Sequence, residues 1–143
     1  MVRVAALDLG EARVGVALAD ELSMYAHPRG FIPAKPRDAF LAKLKELVAS
    51  EGITHWVVGL PLDMRGGEGD AARKVRLLSQ QIADATGCEI ELWDERLSTV
   101  QAKRHLDASD MKKRNKRAHI DEASAVVILQ AFLDRPARVP SRR

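Results

Sequence analysis

Cysteine is nearly absent from this chain of 143 residues: Cys88 stands alone. A single thiol excludes an internal disulfide and any zinc site built from several cysteines. Cys88 precedes a strand-like segment and reads as a small buried hydrophobe. Aromatics are scarce as well, at 4% (two Trp, one Tyr, three Phe). The core must therefore be built mainly from Val, Leu, Ile and Ala, and recognition that stacks many unpaired bases on aromatic platforms is disfavoured. No apolar run approaches the length of a membrane span, so no membrane partner is expected. The first ten residues carry Arg3 and Asp8 inside strand-like sequence, which is not the pattern of a signal peptide. A reducing cytoplasm is the compartment these features suggest. Repeats and low-complexity segments are missing too.

What is present is an ordinary globular composition, 46% hydrophobic, in a length suited to one domain. The net charge is +3, from 23 Lys and Arg against 20 Asp and Glu. Its distribution matters more than its size. Lys112, Lys113, Arg114, Lys116 and Arg117 fall within six residues, and setting those five aside leaves 18 basic against 20 acidic residues. The basic character is a local patch on a nearly neutral body. Arg138, Arg142 and Arg143 add a basic tail, so the expected division is one domain over 1–135 and a tail over 136–143.

Periodicity predicts strands over 2–9, 13–20 and 26–32, then an amphipathic helix over 38–51 with Phe40, Leu41, Leu44, Leu47 and Val48 on one face. Gly52 fits the C′ position of that helix. A strand over 54–60, a Gly-rich loop at 64–69, a helix over 70–86 with Ala71, Val75, Leu78 and Ile82 as its stripe, and a strand around Ile90–Trp93 follow. Ser98 with Gln101 forms a capping box for a helix running to about Leu106. The basic run then reads as a linker, and a nearly all-apolar, fully buried helix covers about Ile120–Leu133. The order β-β-β-α-β-α-β-α-α predicts an α/β fold: a mixed five-stranded sheet, three antiparallel strands followed by parallel crossovers, with helices on both faces.

Three acidic positions stand out against this pattern. Asp8 sits inside an apolar strand, where a carboxylate without partners is costly. A structural salt bridge to Arg13 or Arg96 would meet that cost, and so would a metal. Gly10 follows closely and would let a phosphate approach the backbone. Asp94 and Glu95 end a strand; residues at the carboxyl edge of an α/β sheet commonly meet ligands, and alternation allows only one of the two to face a site. Arg96 could hold a phosphate or fix a carboxylate. Asp121 and Glu122 open the expected last helix, where acidic residues also serve as N-terminal stabilisers. Gathered together, Asp8, Glu95 and Asp121 would form a hard, oxygen-lined site suited to Mg²⁺ or Mn²⁺. The loop Gly66–Gly69 could cradle a phosphate, but it lacks the Lys-Ser/Thr of a P-loop. Lys112, Lys113, Arg114, Lys116 and Arg117 read as a nucleic-acid contact that recognises backbone shape.

Taken together, Asp8-x-Gly10-x-x-Arg13-x-Gly15-x-Ala17, Gly59-Leu-Pro-Leu62, Gly67-Glu-Gly69, Asp94-Glu-Arg-Leu-Ser-Thr99 and Asp121 resemble the YqgF/RuvX family of Holliday-junction-resolvase-like proteins. The resemblance implies an RNase H-like fold and a metal-dependent nuclease with Asp8, Glu95 and Asp121 as its acidic triad. It implies either branched DNA or the 5′ end of the small-subunit ribosomal RNA precursor as substrate; Gly10, Arg13, Arg96 and the basic run are the expected substrate contacts. A non-catalytic nucleic-acid-binding or ribosome-assembly module on the same fold is the rival reading. Junction cleavage would favour a homodimer; trimming one RNA end would suit a monomer.

Overall fold

The computed structural model describes residues 2–97 and 113–136, with side chains in the last helix from Ala123 onward. Its elements are β1 (Val4–Leu9), β2 (Arg13–Ala19), β3 (Ala26–Pro33), α1 (Arg37–Glu51), β4 (His55–Leu60), α2 (Asp70–Thr86), β5 (Glu89–Asp94), a short 3₁₀ turn (Glu95–Leu97) and α3 (Lys113–Asp134). The strands form one sheet in the order β3-β2-β1-β4-β5. β1–β2 and β2–β3 are antiparallel; β1–β4 and β4–β5 are parallel. This is the mixed sheet the element order predicts.

The apolar runs of β1 and β4 occupy the centre because both their faces are covered. The edges carry sequence that a central strand would not tolerate. Pro28 lies in edge strand β3, where a missing N–H costs no ladder bond. Exposed Glu89 and Glu91 mark β5 at the other edge, where charge discourages pairing with foreign strands.

Alternation divides the core in two. Ala5, Leu7, Val14, Val16, Trp56 and Val58 face α1 and α2, meeting Phe40, Leu44, Val75 and Ile82. Val4, Ala6, Ala17, Ala19 and Val57 face α3, meeting Ala125, Ile128 and Leu129. Gly52 ends α1 in the left-handed conformation at φ 72°, its N–H donating to the Val48 carbonyl, as the sequence predicts. Gly87 ends α2 in the same way. Cys88 is buried, its Sγ 3.3 Å from the Ile53 carbonyl oxygen.

Three expectations are corrected. The buried stripe of α2 begins at Ala72, since Ala71 is exposed, and includes Ser79. The last helix starts at Lys113 and runs for 22 residues, so Lys113–Arg117 lie in its first turns rather than in a linker. Lys and Arg are good helix formers, and a charged run without apolar period hides this from a pattern search. That helix is also only half covered: Ser124, Ala125, Ile128 and Leu129 are buried, while Val126, Val127 and Phe132 are partly exposed. The helix expected over Ser98–Leu106 and the tail beyond Pro136 lie outside the described residues.

Candidate active site

Asp8 is the last buried residue of β1 and is 1% exposed. Alternation from Val4 and Ala6 turns it to the α3 face. Its antiparallel partner on β2 is Gly15. On the other side the parallel ladder ends at Leu7 opposite Val58, and one further step sets Gly59 of β4 beside Asp8. Glycines flank the carboxylate on both neighbouring strands, so the pleat around it is open.

Glu95 enters this space from the 3₁₀ turn that follows β5. It is 2% exposed, and its Oε2 lies 2.7 Å from where a Cβ on Gly59 would stand. Ile128 of α3 reaches the same point from above, its Cδ1 2.8 Å from that position. Gly59 is thus required by close approach: any side chain there would collide with both. The sheet therefore brings both acids to one face, Asp8 on β1 and the Glu95 carboxylate over Gly59 of the neighbouring β4.

Asp94, the neighbour that sequence could not separate from Glu95, does something else. Both its oxygens face the Arg96 guanidinium, with Nε 3.0 and 3.1 Å and Nη2 2.7 Å away. The Arg96 backbone N–H also donates to Asp94 Oδ1 at 2.9 Å, which closes the 3₁₀ turn. Those Arg96 hydrogen bonds hold the Asp94 carboxyl below its ordinary value, against a smaller opposing effect of burial. Arg96 reaches back to donate to the Met64 carbonyl and lies against Gly66. Arg96, expected to contact substrate, is engaged here in joining the end of β5 to the loop after β4.

That loop is itself closed. Asp63 Oδ1 accepts from the N–H groups of Arg65 (2.9 Å) and Gly67 (2.7 Å), and the Asp63 carbonyl accepts from Gly66. The amides of Arg65, Gly66 and Gly67 are turned inward onto one aspartate, a role the sequence reading did not assign to Asp63. Gly10 behaves likewise: its N–H donates to the carbonyls of Asp8 and Arg13 and closes the β1–β2 hairpin. Arg13 begins β2 on the Asp8 face and lies over the Phe31 ring, 5.5 Å from its centroid.

The remaining candidates are less fully described. Asp121 lies in the interior of α3, eight residues past its start, and does not open the helix. Its side chain, with those of Lys113, Arg114, Lys116, Arg117 and Glu122, is outside the described residues, as is Lys112 altogether. Among the described residues no three His, Cys, Asp or Glu side chains form a metal-binding group; two acids, Asp8 and Glu95, share the site face. A cleft of about 600 Å³ between α2 and β5 is lined by Cys88, Ile90 and Leu92, residues of the other face, and takes no part in this site. Among the described residues, no helix is long and apolar enough to cross a membrane.

A mixed five-stranded sheet in the order β3-β2-β1-β4-β5, flanked by helices, is the RNase H-like arrangement. The fold comparison agrees: the RuvC resolvase of Thermus thermophilus, solved in complex with a Holliday junction substrate, superposes with a TM-score of 0.56 at 17% identity, over 94% of this chain and 96% of that one. Residues 2–135 match the RuvX family, described as Holliday junction resolvase, and the chain belongs to that family. A Symbiobacterium thermophilum protein named "Putative pre-16S rRNA nuclease" is 41% identical over 96% of each chain. An Anaeromyxobacter protein of the same name is 42% identical over 92% of this chain and 96% of its own.

Proposed function

We propose that this chain is a nuclease that hydrolyses phosphodiester bonds and matures the 5′ end of the 16S ribosomal RNA precursor. The observation that carries the reading is the burial of Asp8 and Glu95 on one sheet face beside Gly15 and Gly59. Two buried carboxylates converge where the strands beside Asp8 carry only glycine, a setting suited to holding a phosphate through a cation. The relatives' names supply the RNA substrate, at about two-fifths identity over nearly full length.

The donor set fits Mg²⁺ or Mn²⁺, which prefer carboxylate oxygen. Asp8 and Glu95 would hold the ion, joined by Asp121. Helical period supports the third member: position 121 precedes Ser124, Ala125 and Ile128 by three, four and seven residues, on the stripe that α3 buries. When bound, the metal would supply an activated water and stabilise charge on the phosphate oxygens. The chain's own residues do the rest. Gly15 and Gly59 leave the face open, Ile128 closes it from above, and the basic first turns of α3 neutralise the substrate backbone.

The family description favours a second substrate, the four-way DNA junction. One experiment separates the readings: purified wild type and Asp8→Asn, with Mg²⁺ or Mn²⁺, each offered a precursor 16S fragment and a four-way junction. The expected result is cutting of the RNA at its 5′ side, abolished by Asp8→Asn with binding retained. Cutting of the junction alone would replace the RNA reading. Binding of either without cutting would mean a non-catalytic module.

A further inference from the structure

The registers of five strands combine into a single transverse row. Phe31 on β3 pairs with Gly15, Gly15 with Asp8, Gly59 follows on β4, and Gly59 pairs with Trp93 on β5. All five face the side that α3 covers: Ala26 and Trp93 pack in that cluster, while Ile32, next to Phe31, packs in the other. The row reads aromatic, glycine, acid, glycine, aromatic. Its two ends differ. Trp93 is packed, meeting Phe132 edge to face at 5.8 Å. Phe31 is 47% exposed, with the Arg13 guanidinium 5.5 Å from its ring centroid.

We infer that Phe31 and Arg13 form a nucleobase-stacking subsite beside the scissile phosphate. This rests on the nuclease reading above and deepens it by placing one base of the substrate. Leu22, Met24 and Leu77 are exposed as well but do not lie in the row of Asp8. Phe31 does, two strands (about 10 Å) from Asp8 with only Gly15 between them. A phosphate held at Asp8 thus puts a flanking base within reach of the ring. A ring and an adjacent guanidinium accept any base through its π-face, so the subsite selects an unpaired nucleotide rather than a sequence. It also gives a function to one of the few aromatics in the chain.

The test uses a fluorescein-labelled single-stranded RNA spanning the junction between leader and mature 16S sequence, with an abasic residue moved along it one position at a time. Binding to the full chain is read by anisotropy in EDTA, and cleavage is read separately in Mn²⁺. The expected result is a roughly ten-fold loss of wild-type affinity at one abasic position. Phe31→Ala and Phe31→Leu should lose about as much on the intact RNA and show no further loss at that position, whereas Phe31→Tyr should behave as wild type. Equal affinity for every abasic RNA would overturn the subsite, and so would a Phe31→Ala protein that keeps the position-specific loss. Phe31-dependent binding without cleavage in Mn²⁺ would overturn the nuclease reading and leave the subsite standing.

Discussion

Beneath α1 and α2 the strands present Leu7, Val14, Val16, Trp56 and Val58; beneath α3 the same strands present Ala6, Asp8, Gly15, Ala17, Val57 and Gly59. One face is bulky and wholly apolar. The other is lined by small residues that shrink to glycine at the row of Asp8. Small side chains let α3 approach the sheet closely, and Gly59 leaves the space that Glu95 and Ile128 occupy. A period of two lets one strand serve both purposes at once, packing on one side and chemistry on the other. Stability and activity should therefore separate by face when residues are substituted.

The largest separation is expected from Glu95→Gln. Removing one acid should lower cleavage by on the order of 10³-fold or more, measured at saturating Mn²⁺, while circular dichroism shows the fold retained. Retention of more than a tenth of the activity would remove Glu95 from the catalytic group. Leu44→Ala tests the opposite face. It should cost about 2–5 kcal/mol in urea unfolding by opening a cavity under β1 and β4. The activity of the molecules that remain folded should not change. A fall in kcat there would show that the faces are mechanically coupled.

Gly59→Ala falls between these cases because it touches both. A methyl at that position meets Glu95 Oε2 and Ile128 Cδ1 within 3 Å, so the carboxylate, the helix or both must move. Overpacking of this kind costs about 1–3 kcal/mol. Displacing a catalytic group by an ångström can cost about 10²-fold in rate. Kinetics and thermal unfolding on the same sample would apportion the two. A change in melting temperature alone would mean that Ile128 yields and Glu95 does not.

The division between faces was already legible in part. Period two in β1 puts Asp8 on the face of Val4 and Ala6, and a carboxylate inside an apolar strand singles that face out. Glu95 was not separable from Asp94, because the strand ends between them: Asp94 closes β5, Glu95 opens a 3₁₀ turn, and alternation no longer applies. The glycines of the family motifs were visible as residues, but that two of them flank Asp8 depends on pairing between distant strands, which a linear pattern does not contain. The place of Phe31 in the row depends on the same kind of pairing. In the loop at Gly66 the amides of Gly66 and Gly67 are engaged by Asp63, a contact that spacing alone does not announce. The start of α3 was misplaced because its first turns carry charge instead of an apolar stripe. That error had set Asp121 at a helix end, where an acid needs no further explanation; in the helix interior the dipole no longer accounts for it.

The smallest effect should come from the Asp94–Arg96 pair, which lies at the boundary between the faces and touches neither core. Arg96→Gln removes the fork that ties Asp94, the 3₁₀ turn and the Met64 carbonyl together. Because Glu95 sits inside that turn, kcat should fall about ten-fold, in the range typical of groups that orient a metal ligand, with KM little changed. The pH dependence gives an independent reading. Arg96 lowers the Asp94 pKa in the folded state from its ordinary 3.8. The stability the pair contributes is therefore fully present above 3.8 and is lost as pH falls through the lowered folded value. Arg96→Gln lacks that contribution, so the difference in unfolding free energy between wild type and variant should be constant above the ordinary aspartate value and shrink below it. Both side chains are partly exposed, which keeps the difference small and sensitive to salt. A difference that stays constant through the acid range would mean that Arg96 acts through Met64 and the loop rather than through Asp94, and the loss of kcat would then report the loop's hold on the site.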